Sequence, residues 1–253
     1  MRFVKLTIAY DGKNYVGWQI QENGLSIQAC LEKAWLTLTH EKVRITSSGR
    51  TDSGVHAEGQ VCSVRTRNQL EVRKFINGLN AYLPEDIIVL AAQEMPGEFH
   101  AIRDAVGKTY RYQIQSGPLR NVLAREQWWY VPPQLDVEAM RRAAEYLVGR
   151  HDFAAFQSIG SKRVSTVRTI TEIRLENREE NSYQWIKVNI SADGFLYNMA
   201  RCIAGTLAET GKGKQPPEWC REVLESRNRA VSGATAPAHG LCLLRVQYPP
   251  QFM

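Results

Sequence analysis

The sequence predicts an α+β fold: two similar halves, each mixing strands and helices, with a largely antiparallel mixed sheet flanked by helices and an active-site cleft between the halves. Three observations carry this expectation. Short segments with apolar residues at every second position are interleaved with segments whose apolar residues recur every three to four. The links between strand segments are of hairpin length in some places and of helical-crossover length in others, so the sheet is mixed. No internal repeat and no low-complexity linker divides the chain, which excludes solenoids and beaded modules.

The elements follow in order. Residues 3–10 read as a strand, closed by a turn at Asp11-Gly12. Ser26 is placed as an N-cap, and Ile27, Leu31, Ala34, Trp35 and Leu38 after it fall at helical spacing. Residues 42–47 and 60–66 read as strands. Val72, Phe75, Ile76 and Leu79 mark a second helix stopped by Pro84, and residues 87–92 form a fourth strand. In the second half, residues 108–115 alternate as a strand and Pro132-Pro133 marks a break. Asp136 caps a helix through Val137, Met140, Ala144 and Leu147, with Gly149 expected to close it. Residues 169–175 are a strand, and Ile186, Val188 and Ile190 share one face of the next. A helix after Asp193-Gly194 carries Leu196, Met199, Ala200, Ile203 and Leu207 and stops at Gly211. Pro216-Pro217 opens a short helix through Trp219 and Val223, and residues 241–246 form the last strand. The boundary is expected near residues 93–103, giving halves 1–100 and 101–253.

Bulk properties narrow the function. The 253 residues are 43% hydrophobic and 23% charged, enough for a packed core. No run of apolar residues is long enough to span a membrane. The N-terminus enters a strand pattern directly, without a secretory core, so a cytoplasmic location is expected. Five dispersed cysteines without C-x-x-C spacing read as reduced structural thiols, and five dispersed histidines give no metal site. The net charge of +6 lies wholly in residues 101–253. Two basic clusters stand out there: Arg103, Lys108, Arg111, Arg120 and Arg125, opposed by Asp104 alone, and Lys162, Arg163 and Arg168. Such patches attract phosphate backbones, although a solvated basic surface has the same composition.

Three stretches can carry chemistry. Residues 47–57 (Ser-Ser-Gly-Arg-Thr-Asp-Ser-Gly-Val-His-Ala) follow a strand and place Arg50 and Asp52 among small residues between two glycines. Glycine lets the backbone approach a ligand, and the small neighbours leave room for one. Lys108-Thr109-Tyr110-Arg111-Tyr112 sets aromatic rings beside basic groups on a strand, a pattern suited to stacking on an unstacked base and equally to core packing. Arg201 sits on an apolar helix, where it needs an anion or a route for its head group to water. Gly205 to Gly213 imitates a phosphate-binding loop but has one residue too many between its glycines, and it ends a helix instead of starting one.

Together these stretches resemble the TruA family of tRNA pseudouridine synthases along nearly the whole chain. Tyr10-Asp11-Gly12, Gly17-Trp18-Gln19, Ser48 through Ala57, Phe99-His100-Ala101, Lys108 through Tyr112, His151-Asp152-Phe153, Arg168-Thr169-Ile170, Gly194-Phe195-Leu196, Met199 with Arg201, and Ala236 through Leu241 occur in family order. Lys13 and Ala200 depart from the common residues, away from the chemistry. The resemblance implies the pseudouridine synthase fold. It also implies isomerisation of uridine at positions 38–40 of the tRNA anticodon arm by a homodimer, without cofactor or metal. It makes Asp52 the catalytic carboxylate and Arg201 its cationic partner. Tyr110 would stack on the flipped base, and Arg50 would hold the flipped-out RNA or fill the gap. Attack on uracil C6, attack on ribose C1′ and removal of a ribose proton all remain open to Asp52. A sibling synthase with another RNA target and a non-catalytic RNA-binding protein or chaperone are the rival expectations.

Overall fold

A computed structural model describes residues 1–132, 134–158, 160 and 165–252. The expected break at Pro133 and the cationic pair Lys162 and Arg163 lie outside the described residues. The architecture is α+β, and the chain divides into two compact units: Met1–Lys108 with Cys242–Met253, and Thr109–Leu241. The dividing point thus falls at Lys108, not near residue 100, and the last strand belongs with the first unit.

In the first unit the strands are β1 (Arg2–Tyr10), β2 (Ile45–Ser47), β3 (His56–Thr66) and β4 (Ile87–Met95), with β5 (Gly107–Ser116) leading out. β1 lies between β3 and β4, antiparallel to both. The second edge of β3 is shared. Its residues 62–64 pair antiparallel with β2, while His56 and Ala57 pair in parallel with Cys242 and Leu243 of the final strand. The helices are α1 (Ile27–Thr39) and α2 (Val72–Asn80). Ser26 caps α1 as its sequence requires, accepting a hydrogen bond from the Ala29 N–H. Trp35 of α1 stacks on Phe75 of α2 with centroids 4.6 Å apart, both rings fully buried.

The second unit orders β5 next to β9 (Tyr183–Ala192), then β8 (Val167–Glu180) and β7 (Gly149–Asp152), with the short β6 (Trp129–Val131) parallel to β5. β7, β8 and β9 run antiparallel. On β9, Ile186, Val188 and Ile190 are fully buried and alternate with half-buried Lys187, Asn189 and Ser191, so one face meets the core. Three helices follow: α3 (Val137–Glu145), α4 (Met199–Gly211) and α5 (Trp219–Ser226). The final strand is β10 (Leu241–Gln247). α4 is buried on nearly every side, and its glycines explain why. A Cβ on Gly205 would sit 1.8 Å from the Ala234 carbonyl oxygen, so the loop after α5 crosses directly over the helix backbone.

The structure corrects several boundaries. α3 ends at Glu145, and Gly149 opens β7 with φ +115° instead of closing the helix. α4 begins only at Met199, behind Asn198 in the left-handed region, so Leu196 is buried ahead of the helix and not on its face. β2 is shorter than the expected strand, and β6 and β7 had no expectation.

Candidate active site

The Asp52 loop leaves β2 at Ser47 and enters β3 at His56. Its two ends are buried, Asp52 is half-buried and Arg50 is exposed. The loop is therefore anchored at its ends and open at its acid and base. The anchors come from distant sequence. Ser48 N–H donates to the Val61 carbonyl at 2.7 Å, and Ser48 Oγ donates to Gln60 Oε1 at 2.7 Å. Gln60 Nε2 donates in turn to the Gly49 carbonyl at 2.9 Å, and Lys108 Nζ to the Ser48 carbonyl at 2.7 Å. Tyr10 Oη and Thr51 Oγ1 share a hydrogen bond of 2.8 Å, and Trp18 N–H donates to the Thr51 carbonyl at 3.0 Å. Ser53 Oγ donates to the Tyr15 carbonyl at 3.0 Å. Buried polar groups are costly unless paired, so each of these bonds selects one loop conformation over the alternatives.

Two glycines of the opening segment make that cradle possible. A Cβ on Gly12 would lie 2.1 Å from the Val55 carbonyl oxygen. One on Gly17 would lie 2.7 Å from the Thr51 carbonyl oxygen, and Gly17 has φ +105°. Only glycine allows the 10–18 segment to lie flat against the loop. His56 completes the wrap. Its Nδ1 accepts from the Gly12 N–H at 3.1 Å and lies 3.0 Å from Asp11 Oδ1.

The second unit carries Tyr110 and Arg201. Tyr110 is buried on β5, its ring 4.8 Å from Phe195 at an interplanar angle of 77°. Arg201 lies in the first turn of α4, half-buried. Its Nε donates to the Ala236 carbonyl at 2.8 Å and its terminal nitrogen to Asn198 Oδ1 at 2.8 Å, which fixes the guanidinium. Asn198 offers that oxygen from the left-handed conformation that begins the helix. The 236–241 segment closes over Tyr112: the phenol donates to the Pro237 carbonyl at 2.7 Å, and a Cβ on Gly240 would come within 2.6 Å of the ring. Burial pushes the Tyr112 phenol well above its ordinary range against the nearby Arg201 charge, so it stays a neutral donor.

Asp52 and Arg50 thus share one loop of the first unit, and Tyr110 and Arg201 belong to the second. Residue-level reading of the sequence missed Gln60, Lys108, Tyr10 and Tyr112 as supports. Among the described residues, no group of three or more His, Cys, Asp or Glu is placed to hold a metal ion. No described helix is long and apolar enough to cross a membrane.

An Arg-x-Asp loop cradled by an opening Tyr-Asp-Gly segment, on an α+β chain, defines a class. The profile of the tRNA pseudouridine synthase family matches residues 6–102 and 143–249, and the chain belongs to that family. The tRNA pseudouridine synthase A of Pelobacter propionicus is 46% identical over 248 residues, covering 98% of this chain and all 100% of its own. That of Syntrophotalea carbinolica is 46% identical over 251 residues, covering 99% and 98%. That of Acetivibrio thermocellus is 46% identical over 248 residues, covering 98% and 100%.

Proposed function

We propose that this chain is a cytoplasmic, homodimeric enzyme that isomerises uridine to pseudouridine at positions 38–40 of the tRNA anticodon arm, with Asp52 as its catalytic carboxylate. The observation that carries the reading is the Asp52 loop. Its ends are tied down by at least six hydrogen bonds from residues far along the chain, while its acid is left half-exposed among small side chains. A preorganised carboxylate needs no reorganisation when the substrate arrives.

The reaction balances within the substrate. The N1–C1′ bond breaks and a C5–C1′ bond forms, while the C5 proton leaves and N1 takes one up. Nothing is oxidised and no group is donated. Ionised Asp52 acts as nucleophile or base, and Arg201 supplies the positive charge that favours its ionised form. The target uridine leaves its stack at a cost of a few kcal/mol. Tyr110 offsets that cost by stacking, and Arg50 holds the displaced RNA. Loss of the C5 proton gives a direct test. With tRNA tritiated at uridine C5, the wild-type chain releases tritium to water. Asp52→Asn is expected to bind the tRNA and release none. Substantial release by that variant would remove Asp52 from its role.

A further inference from the structure

The second unit holds a cavity of about 280 Å³ that none of the chemistry above uses. Arg120, Arg125, Trp128, Trp129, Tyr130 and His239 are among the side chains that line it. Residues 103–142 lie outside the stretches matched by the family profile, and all of the wall except His239 comes from there. The volume is slightly below the ~300–1,000 Å³ of most small-molecule sites, a size for one ring system and not for an extended ligand.

The wall is prebuilt. Trp128 meets Trp185 edge-on at 4.8 Å, and Trp129 meets Tyr112 edge-on at 6.0 Å. The loop above them is fastened to β5. Gln115 Nε2 donates to the Leu119 carbonyl at 3.1 Å, and Asn121 N–H donates to Gln115 Oε1 at 3.1 Å. Tyr130 Oη donates to the Gly117 and Pro118 carbonyls at 3.2 Å each. Both tryptophans are half-buried, so part of each indole remains open, and both arginines are exposed at the rim. Arg125 Nε is engaged by Glu126 at 2.9 Å, an exposed pair that a phosphate can displace at little cost. Fixed indoles with guanidinium groups at the rim match one ligand chemistry: a π-faced base carrying a phosphate.

We propose that this cavity receives one unpaired nucleotide of the bound RNA, its base against Trp128 and Trp129 and its phosphate on Arg120 and Arg125. The inference rests on the reading of tRNA as substrate. It gives the second unit a grip on the RNA separate from the uridine being isomerised. The occupant assigned is a nucleotide of the RNA, because both arginines are exposed, where a phosphate joined to a longer backbone can reach them.

The test uses the full chain with Arg120→Glu and Arg125→Glu combined, and separately Trp128→Phe and Trp128→Ala. The charge changes are at exposed positions and should leave the melting temperature unchanged. Steady-state tritium release from tRNA is expected to show KM raised about tenfold in the double Arg variant with kcat retained. Trp128→Ala is expected to act in the same direction, and Trp128→Phe to keep most of the affinity. Light scattering should give every variant the wild-type mass. An unchanged KM in the double variant overturns the proposal, even if adenosine monophosphate quenches the tryptophans, since the site would then serve free nucleotides. A fall in mass paralleling the rise in KM also overturns it, because the cavity would then be a contact between copies. Failure of the wild-type chain to release tritium from any tRNA would sink the substrate reading itself, a separate result.

Discussion

At the residue scale, the chemistry proposed for Asp52 depends on the groups that hold its loop. Gln60 is fully buried and bonds the loop at both Ser48 and Gly49. Gln60→Leu keeps the volume and removes both bonds; the buried Ser48 hydroxyl loses its acceptor, while the Gly49 carbonyl keeps the Ser47 hydroxyl at 3.1 Å. About 1–3 kcal/mol of stability is at stake. The expected outcome is a lowered denaturant midpoint together with a lowered kcat. A variant that kept wild-type kcat would show that the loop holds its shape without Gln60. Gly12→Ala is the steric counterpart: with 2.1 Å to the Val55 carbonyl oxygen the opening segment must lift, so activity should fall sharply even if the protein folds. The thiols behave as structural groups. Burial pushes Cys220 up to about 12 and Cys62 well above the thiol range; it raises Cys30 as well, but Cys30 is half-buried where the other four are buried, so a reagent can reach it. At pH 8 a thiol reagent should therefore modify Cys30 first, and all five cysteines only in denaturant. Rapid modification of Cys220 in the native protein would contradict its burial.

At the element scale, what was legible in the sequence is what local chemistry decides. Ser26 marks the start of α1 because a hydroxyl three residues before a free N–H is a local pairing. β9 shows itself because its alternate side chains differ in burial. β8 was read only as far as Leu175, yet it runs to Glu180. Its last five residues are all exposed, so no apolar alternation betrays them. They are held instead by pairing to β9 across Asn181-Ser182, both at positive φ, a two-residue turn of the type whose twist matches the strands. The loop of Asp52 was legible as a motif, but its supports Tyr10, Gln60 and Lys108 were not. They lie 11–60 positions from the loop residues they bond, and only the fold brings them in. The C-terminal turn of α4 carries a pH-dependent prediction. Burial raises the Glu209 carboxyl, but hydrogen bonds and charge from Lys212 and Lys214 outweigh it and lower the carboxyl below its ordinary value. A lowered folded value contributes stability above the unfolded carboxyl range, and this is lost as pH falls through the folded value. Glu209→Gln should therefore lower the melting temperature at pH 7 by the equivalent of about 1 kcal/mol or less, and the difference should shrink and disappear as the pH falls through and below the ordinary carboxylate range. A difference that persisted in acid would have another cause.

At the scale of the whole molecule, charge and its pairing set how the chain meets RNA. The surplus cations of the second half are less available than a count suggests. Arg103 is engaged by Asp104, Arg125 by Glu126, Arg141 by Glu138, and Lys212 and Lys214 by Glu209, and Lys108 is committed to Ser48. The cluster 103–125 is thus less open than the sequence implied. The exposed pairs are worth little and can exchange an acid for a phosphate. Affinity for tRNA should accordingly fall steeply with salt, with a logarithmic slope steeper than about −3 if four or more phosphates are contacted. A flat response would deny those residues a role in binding.

The return of the last strand to the first unit has a consequence for synthesis. β3 lacks its partner at His56 and Ala57 until Cys242 and Leu243 arrive. The apolar cluster of Val61, Met95, Phe99 and Ala101 likewise awaits Tyr248, whose hydroxyl donates to the Ala101 carbonyl at 2.7 Å. Lys5 Nζ, near the beginning of the chain, donates to the Phe252 carbonyl at 2.6 Å. The ribosome must therefore translate the entire second unit before the first can finish, on the order of ten seconds at roughly 5–20 residues per second. During that interval the strand adjoining the Asp52 loop has an unfilled edge. A nascent chain stalled short of residue 242 would expose it to other chains, and the protein would gain its activity only after residues 242–252 had left the ribosome.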